Sequence, residues 1–354
     1  MDATRVGASG AADGELGLSA RLDRLPMTGP VLLTRTIAGG ATFFDGYTVL
    51  AIAYAMPVLV REWHLNPSQT GAILSLGYFG QFLGALLFGA LAERFGRLRI
   101  LLFTILLFVS MDLACLFAWG AASMMVFRLV QGIGTGGEVP VASAYVNEFI
   151  GSKGRGRFFL LYEATFLVGL VAAGFIGSAL VPTFGWRAMF VVGIIPAAII
   201  IPLRFFMKES PRWLASKGRL NEAERIVTDL EKNAIAHGHT LREPTIASGA
   251  ATSAYTSWLE LFKGIYRRRT LTIWVMWFSS YLVANGMIAW LPTLYRQTFN
   301  LPLAVSLRYG LLTSLAGLAA AIVCALLIDK IGRCGWYFAA FLLAPVPLAA
   351  LALS

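Results

Sequence analysis

Long apolar runs almost free of charge constrain this chain more than any other feature. They fall at about 36–60, 71–92, 100–119, 123–146, 158–182 and 186–206, and after a polar gap at about 271–295, 303–328 and 335–354. A bilayer core about 30 Å thick takes about 20 apolar residues per helix, so each run is long enough to cross it. Inside lipid every backbone N–H and C=O must be satisfied within its own segment, which makes the runs helices. The chain therefore reads as an all-α integral membrane protein with nine spans. Composition agrees: 57% of the 354 residues are hydrophobic and 14% charged, against roughly 25% charged in a soluble domain.

The formal charge of +10 raises the question of nucleic acid. Its placement answers no. Arg94, Arg97 and Arg99 follow the second run, Lys153, Arg155 and Arg157 follow the fourth, and the polar gap ends in Arg267, Arg268 and Arg269. The third-to-fourth connection has no Lys or Arg, and the fifth-to-sixth has Arg187 alone. This alternation puts the N-terminus and the 207–270 loop in the cytoplasm of a multi-pass cell-membrane protein.

Residues 1–31 are rich in Gly, Ala and Ser and read as a disordered cytoplasmic tail. Residues 32–206 form a six-span half, and 271–354 a partial half of three. Within 207–270, Ser210 and Pro211 predict the start of a short helix. Asn221 with Glu224 predicts a second, running to about Lys232. Residues 243–257 read as a linker. Trp258, Leu261, Phe262 and Ile265 then predict an interfacial helix leading into the seventh run. Cys115, Cys324 and Cys334 show no metal spacing, and His237 and His239 have no further ligands nearby. No metal, no cofactor and no enzyme site is expected.

The chain repeats itself. Pro57 and Pro292, Pro67 and Pro302, and Glu93 and Asp329 are 235 or 236 residues apart. A constant offset across two spans indicates two homologous halves in parallel orientation. A second half of six spans would need roughly 90 more residues, so the half ending at Ser354 is expected to lack spans ten to twelve.

Ionisable groups at membrane depth are costly and mark function by default. Asp45 lies in the first run, in Phe43-Phe44-Asp45-Gly46-Tyr47, and is the first candidate for carrying a coupling proton. Glu138 in the fourth run is the second, with Asp112 and Glu163 as further buried acids. Gly80-x-x-x-Gly84 and Gly132-x-Gly134-x-Gly136 predict close helix packing. Tyr47, Tyr78, Gln81, Gln131, Asn285 and Trp290 are aromatic and amide groups near the midplane suited to a small polar or aromatic ligand.

Between the second and third runs stands Gly89-Ala-Leu-Ala-Glu93-Arg94-Phe-Gly96-Arg97-Leu-Arg99. A second copy, Asp329-Lys330-Ile-Gly332-Arg333, lies between the eighth and ninth. The pattern resembles the signature loop of the major facilitator superfamily. Glu93 replaces the usual Asp, Ala325 stands where the second copy's leading Gly would be, and Gly335 replaces its final basic residue. Arg128-Leu-Val-Gln131-Gly132-Ile-Gly134 resembles that superfamily's buried-arginine motif. Glu148 ahead of Arg155-Gly156, and Glu209-Ser-Pro211-Arg212-Trp213-Leu214 after the sixth run, are similar to motifs of sugar-porter-like members, with Lys208 replacing a Pro.

The resemblance spans about 35–354. It implies a major facilitator fold, here a six-helix N-terminal half plus an incomplete three-helix C-terminal half. It also implies a cytoplasmic charge network of Glu93, Arg97, Glu148, Arg155 and Glu209 acting as a two-state gate, with Gly89, Arg94, Gly96, Arg212, Asp329 and Arg333 in the gate's loops. Asp45 is implied to pair with Arg128.

The span-seven signature of true sugar porters is replaced by Ser279-Ser280-Tyr281-Leu-Val-Ala-Asn285-Gly286, and Glu163 stands where many carry Gln. Phe44-Asp45-Gly46 and Trp290-Leu291-Pro292-Thr293 are instead similar to metabolite:proton symporters related to nicotinate and aromatic-acid carriers. Thr48 occupies the place of that group's second acid. The expected function is secondary active transport: proton symport of a small organic acid by alternating access, as a monomer in the lipid bilayer, with Arg128 attracting the carboxylate. Sugar symport and drug export stay open, as does a non-transporting fragment or regulatory membrane protein.

Overall fold

The computed structural model describes residues 17–26, 28–149, 155–204, 207–244, 258–331, 333–343, 345–346 and 349. Helices dominate, and no strand occurs among the described residues. In chain order they are α1 (Gly29–Glu62), α2 (Pro67–Phe95), α3 (Arg97–Leu116), α4 (Ala121–Phe149), α5 (Arg155–Phe184) and α6 (Arg187–Arg204). The polar insert supplies α7 (Pro211–Ser216), α8 (Leu220–Ala236) and a 3-10 turn (Trp258–Phe262). Then come α9 (Gly264–Gln297), α10 (Leu303–Ile331) and α11 (Arg333–Leu343). Each of the first eight expected spans has its helix, and α11 covers the first part of the ninth.

Among the described residues, six helical segments are long and apolar enough to cross a membrane: Thr42–Glu62, Pro67–Phe95, Arg97–Leu116, Ala164–Phe184, Gly264–Gln297 and Leu303–Cys324. Helix α4 is not one of them. Its hydropathy is diluted by glycines and by Arg128, Gln131, Thr135 and Glu138, all of which are buried. A helix wrapped by other helices can carry such residues because it meets little lipid. Only part of the expected sixth and ninth spans has described side chains.

Glycines set the packing. On α2 and α4, a Cβ at Gly80 would run into Leu129 O, one at Gly84 into Ile133 O, and one at Gly136 into Gln81 O. The predicted small-residue faces therefore meet each other, backbone against backbone, as close membrane helix pairs require. Helices α1 and α5 repeat the device, with Gly46 against Phe166 O and Gly169 against Phe43 O.

The internal repeat is written into the backbone. Pro57 and Pro292 lie inside α1 and α9, and Pro67 begins α2 while Pro302 immediately precedes α10. His64 (φ 49°) and Asn300 (φ 51°) are the two non-glycine residues with positive φ among those described, and they are 236 positions apart. The same turn is thus built twice. In the first copy Asn66 caps α2 by accepting from Gln69 N at 2.8 Å, and the Gln69 side chain accepts from Asn66 N at 3.1 Å.

The two halves touch through α1 with α9 and α5 with α10. Leu307 joins the core around Tyr47, Leu50 and Tyr54, and Ala289 joins the core of Met56, Leu59, Leu65, Ile73 and Trp186.

Three readings need correction. Residues 17–23, expected within a disordered tail, are helical, with Leu18 and Leu22 buried against Trp213, Val227 and Leu230. Arg21 and Arg24 each reach Glu231 at 2.6 Å, and Asp23 accepts from Arg212 at 3.0 Å. Composition concealed this because the two leucines and the charges only find partners about 200 residues away. Helix α8 starts at Leu220, without a side-chain cap, and runs to Ala236, so Asn221 lies inside its first turn. Arg219 pairs with Glu222 at 2.6 Å, which anchors that start in place of a capping box. The interfacial helix is a short 3-10 turn, with α9 beginning two residues later. By contrast Ser210 caps α7 as predicted, its hydroxyl accepting from Trp213 N at 3.2 Å. The linker lies outside the described residues from 245 to 257.

Candidate substrate and proton site

Five ionisable or amide side chains are almost sealed inside the six-helix half. Relative exposures are 3% for Asp45 on α1, 2% for Asp112 on α3, and 6%, 1% and 1% for Arg128, Gln131 and Glu138 on α4. Spacing on α4 places them: Arg128, Gln131, Thr135 and Glu138 recur at three and four residues, which is one helix face. Gly77 on α2 makes room for the guanidinium, since a Cβ there would stand 2.7 Å from Arg128 Nη2.

These groups form two neighbourhoods. In one, Arg128 Nη1 donates to Gln131 Oε1, and Gln131 Nε2 donates to Asp112 Oδ1. Gln131 is a single amide joining a cation to an anion. Tyr47 stands behind Asp112, its hydroxyl donating to Met189 O at 2.8 Å. Tyr78 lies within electrostatic reach of Arg128. In the other neighbourhood, Asp45 lies within electrostatic reach of Glu138. The implied ion pair between Asp45 and Arg128 is not formed among the described residues. Asp45 Oδ1, Asp112 Oδ2 and Arg128 Nε have no hydrogen-bond partner among the described residues. Glu163 has no described side chain.

Beside Arg128 is a narrow cleft lined by Thr48, Val49, Gly77, Gln81, Arg128, Gln131, Gly132 and Thr135. Of the six expected ligand residues, Gln81 and Gln131 face this cavity. Gln81 Nε2 also donates to Thr135 Oγ1 at 3.4 Å. Tyr47 and Tyr78 stand near its polar wall. Asn285 and Trp290 are elsewhere on α9: Asn285 donates to Tyr281 O at 3.3 Å, and Trp290 packs over Gly71. Sequence reasoning missed Thr48 and Thr135 as lining groups. Position was the available signal, because Thr135 continues the Arg128–Gln131 face and Thr48 holds a place expected for an acid.

A second constellation sits where α2 turns into α3. Gly96 has φ 107°, and a Cβ on it would meet Glu209 Oε2 at 2.6 Å, so glycine is required twice over. The Glu209 carboxylate accepts from Arg97 N at 3.1 Å, Leu98 N at 3.2 Å and Ser210 N at 3.0 Å. It therefore caps the positive end of α3. Arg97 reaches Glu148 at 3.1 Å and Glu93 at 3.9 Å. Trp213 Nε1 donates to Glu93 O at 2.9 Å, which pins α7 onto the turn. The network is joined differently from expectation in two places. Glu209 binds backbone N–H groups, and Arg212 turns to Asp23. Arg94 lies over the Phe95 ring at 5.4 Å, and nothing stands within 4 Å of a Cβ on Gly89. The side chains of Arg155, Asp329 and Arg333 lie outside those described.

A polytopic helical bundle, a buried cation–amide–acid chain inside its six-helix half, a turn of charges between two of its helices and two halves repeating one backbone pattern define a membrane carrier. The chain belongs to the Major Facilitator Superfamily, whose family pattern matches residues 38–354. It is 32% identical over 319 residues to the niacin transporter NiaP of Acinetobacter baylyi, covering 90% of this chain and 72% of that one. It is 30% identical to the 4-hydroxybenzoate transporter PcaK of the same organism, covering 72% of this chain and 56% of that one. In fold it matches the xylose transporter XylE from E. coli in a partially occluded inward-open conformation. The TM-score is 0.64 at 20% identity, over 86% of this chain and 74% of that one. These relatives are named as transporters, and the family is one of transporters rather than enzymes, as the sequence indicated.

Proposed function

We propose that the protein is a secondary active transporter that takes up a small organic acid, of the aromatic or pyridine carboxylate type, together with a proton. The observation that carries this reading is Arg128, a buried guanidinium on the wall of a polar cavity. Its Nε lacks a hydrogen-bond partner, and it shares its Nη1 bond with a neutral amide. Guanidinium groups hold carboxylates with two parallel hydrogen bonds, and Gln81, Thr48 and Thr135 offer further polar contacts. Relatives named for niacin, 4-hydroxybenzoate, gallate and benzoate support a carboxylate ligand.

The turn at Gly96 and Arg97, bound to Glu148 and Glu209, serves as the cytoplasmic gate. Its ion pair and cap can be made or broken as the halves rock about the central site. The N-terminus and the polar insert face the cytoplasm, the protein works as a monomer in the cell membrane, and Asp45, Asp112 and Glu138 are the acids from which the coupling group is drawn.

The test is ligand binding by the purified full chain, with nicotinate and benzoate as probes and xylose as the control. Loss of a charge-assisted hydrogen bond is worth roughly 1.5–3 kcal/mol, so Arg128→Gln should weaken carboxylate binding by roughly 10- to 100-fold. Binding of xylose in place of both acids would refute the reading.

A further inference from the structure

Which buried acid answers to Arg128 is decided by connectivity. Asp45, the acid expected to do so from its place in the first span, makes no ion pair with Arg128 among the described residues and lies within electrostatic reach of Glu138. Asp112 is connected: Gln131 accepts from Arg128 through its carbonyl and donates to Asp112 through its nitrogen. Asp112 Oδ2 has no hydrogen-bond partner among the described residues, and a Cβ on Gly193 of α6 would lie 3.9 Å from it. The titratable or charged groups facing Asp112 are Tyr47 from α1, Cys115 from its own helix α3 and Arg128 from α4. The cavity is lined by Arg128 and Gln131 but not by Asp112. An incoming anion therefore meets the cation and the amide first, with the acid behind them.

We propose that Asp112 balances the charge of Arg128, that Gln131 is the positioning residue linking them, and that a carboxylate binding at Arg128 is accompanied by uptake of one proton on Asp112. This rests on the carboxylate reading above and adds to it the coupling group and the stoichiometry.

Charge accounting drives the coupling. Arg128 and ionised Asp112 together are neutral. A substrate carboxylate added to them leaves a net negative charge out of contact with water, which is strongly unfavourable. One proton taken from water onto a carboxylate oxygen of Asp112 restores neutrality. The same amide serves both states. The substrate replaces Gln131 Oε1 as the acceptor on Arg128, and the released carbonyl oxygen then accepts from the new Asp112 O–H. Release of the substrate reverses both exchanges and returns the proton to water.

Calorimetric binding of nicotinate and benzoate to the full chain, in buffers of different ionisation enthalpy, counts protons taken up per ligand bound. Wild type should take up about one and Asp45→Asn the same. Asp112→Asn should bind the ligand with no proton uptake and with an affinity flat across pH. Proton uptake that survives Asp112→Asn, or that disappears in Asp45→Asn, overturns the assignment while leaving the carboxylate reading standing. If neither probe binds the wild type, the carboxylate reading fails and the coupling scheme fails with it.

Infrared difference spectra of the wild type on ligand addition guard against poor folding of Asp112→Asn. A protonated-carboxyl band should appear, shift in Gln131→Leu and stay unmoved in Asp45→Asn. A band that moves in Asp45→Asn and not in Gln131→Leu would refute the scheme.

Discussion

Gly96 shows how one residue type can be dictated by two independent constraints. Its φ of 107° and ψ of 151° belong to a backbone region open almost only to glycine, and the Glu209 carboxylate fills the space where a side chain would begin. A Gly96→Ala substitution should destabilise this turn by about 1–3 kcal/mol, seen as a lower melting temperature in detergent. Gly89, seven residues earlier in the same motif, meets nothing within 4 Å, so Gly89→Ala should leave that temperature unchanged. Equal losses at both positions would show that the motif's glycines act through something other than this geometry. The pattern of glycines and charges was plain in the sequence. What could not be read was the target of Glu209, because a carboxylate near arginines suggests an ion pair, whereas this one caps a helix start through the backbone N–H groups of Arg97 and Leu98.

At the scale of elements, the N-terminal segment is held against the polar insert. Leu18 and Leu22 are buried with Trp213, Val227 and Leu230, and Arg21 and Arg24 converge on Glu231. Burial pushes the Glu231 carboxyl up, but the hydrogen bonds from Arg21 and Arg24 outweigh it, so its pKa is lowered. A carboxyl depressed in the folded state contributes stability above its unfolded pKa and loses it as pH falls through the folded value. Docking of residues 17–26 should therefore hold at neutral pH and loosen under acid. Glu231→Gln should already be loose at neutral pH. Limited proteolysis of the segment reads this out: faster cleavage in Glu231→Gln at pH 7, converging with wild type in acid, is the expected result, and identical cleavage at both pH values would contradict it. The helices were legible from hydropathy to within a few residues at most ends. Helix α4 was the least typical, because its inward face is chemistry rather than lipid contact. The docked segment was illegible because its partners are contributed by α7 and α8, far along the chain.

Over the whole molecule, a duplicated backbone plan carries a buried relay in its first half. The offset between halves was visible in three residue pairs, and it reappears as matching left-handed residues at His64 and Asn300. The pairing inside the relay was not visible, since the sequence offered four intramembrane acids for one arginine and no way to choose. Helix rotation makes the choice: α3 presents Asp112 to Gln131, whereas Asp45 on α1 forms no ion pair with Arg128 among the described residues. The central claim is that movement of a carboxylate through this bundle is tied to movement of a proton. Proteoliposomes with an inside-alkaline pH gradient test it directly. The full chain should accumulate labelled nicotinate or benzoate above the outside concentration, and a protonophore should abolish the accumulation. Uptake that stops at equal concentrations whether or not the gradient is present would contradict it.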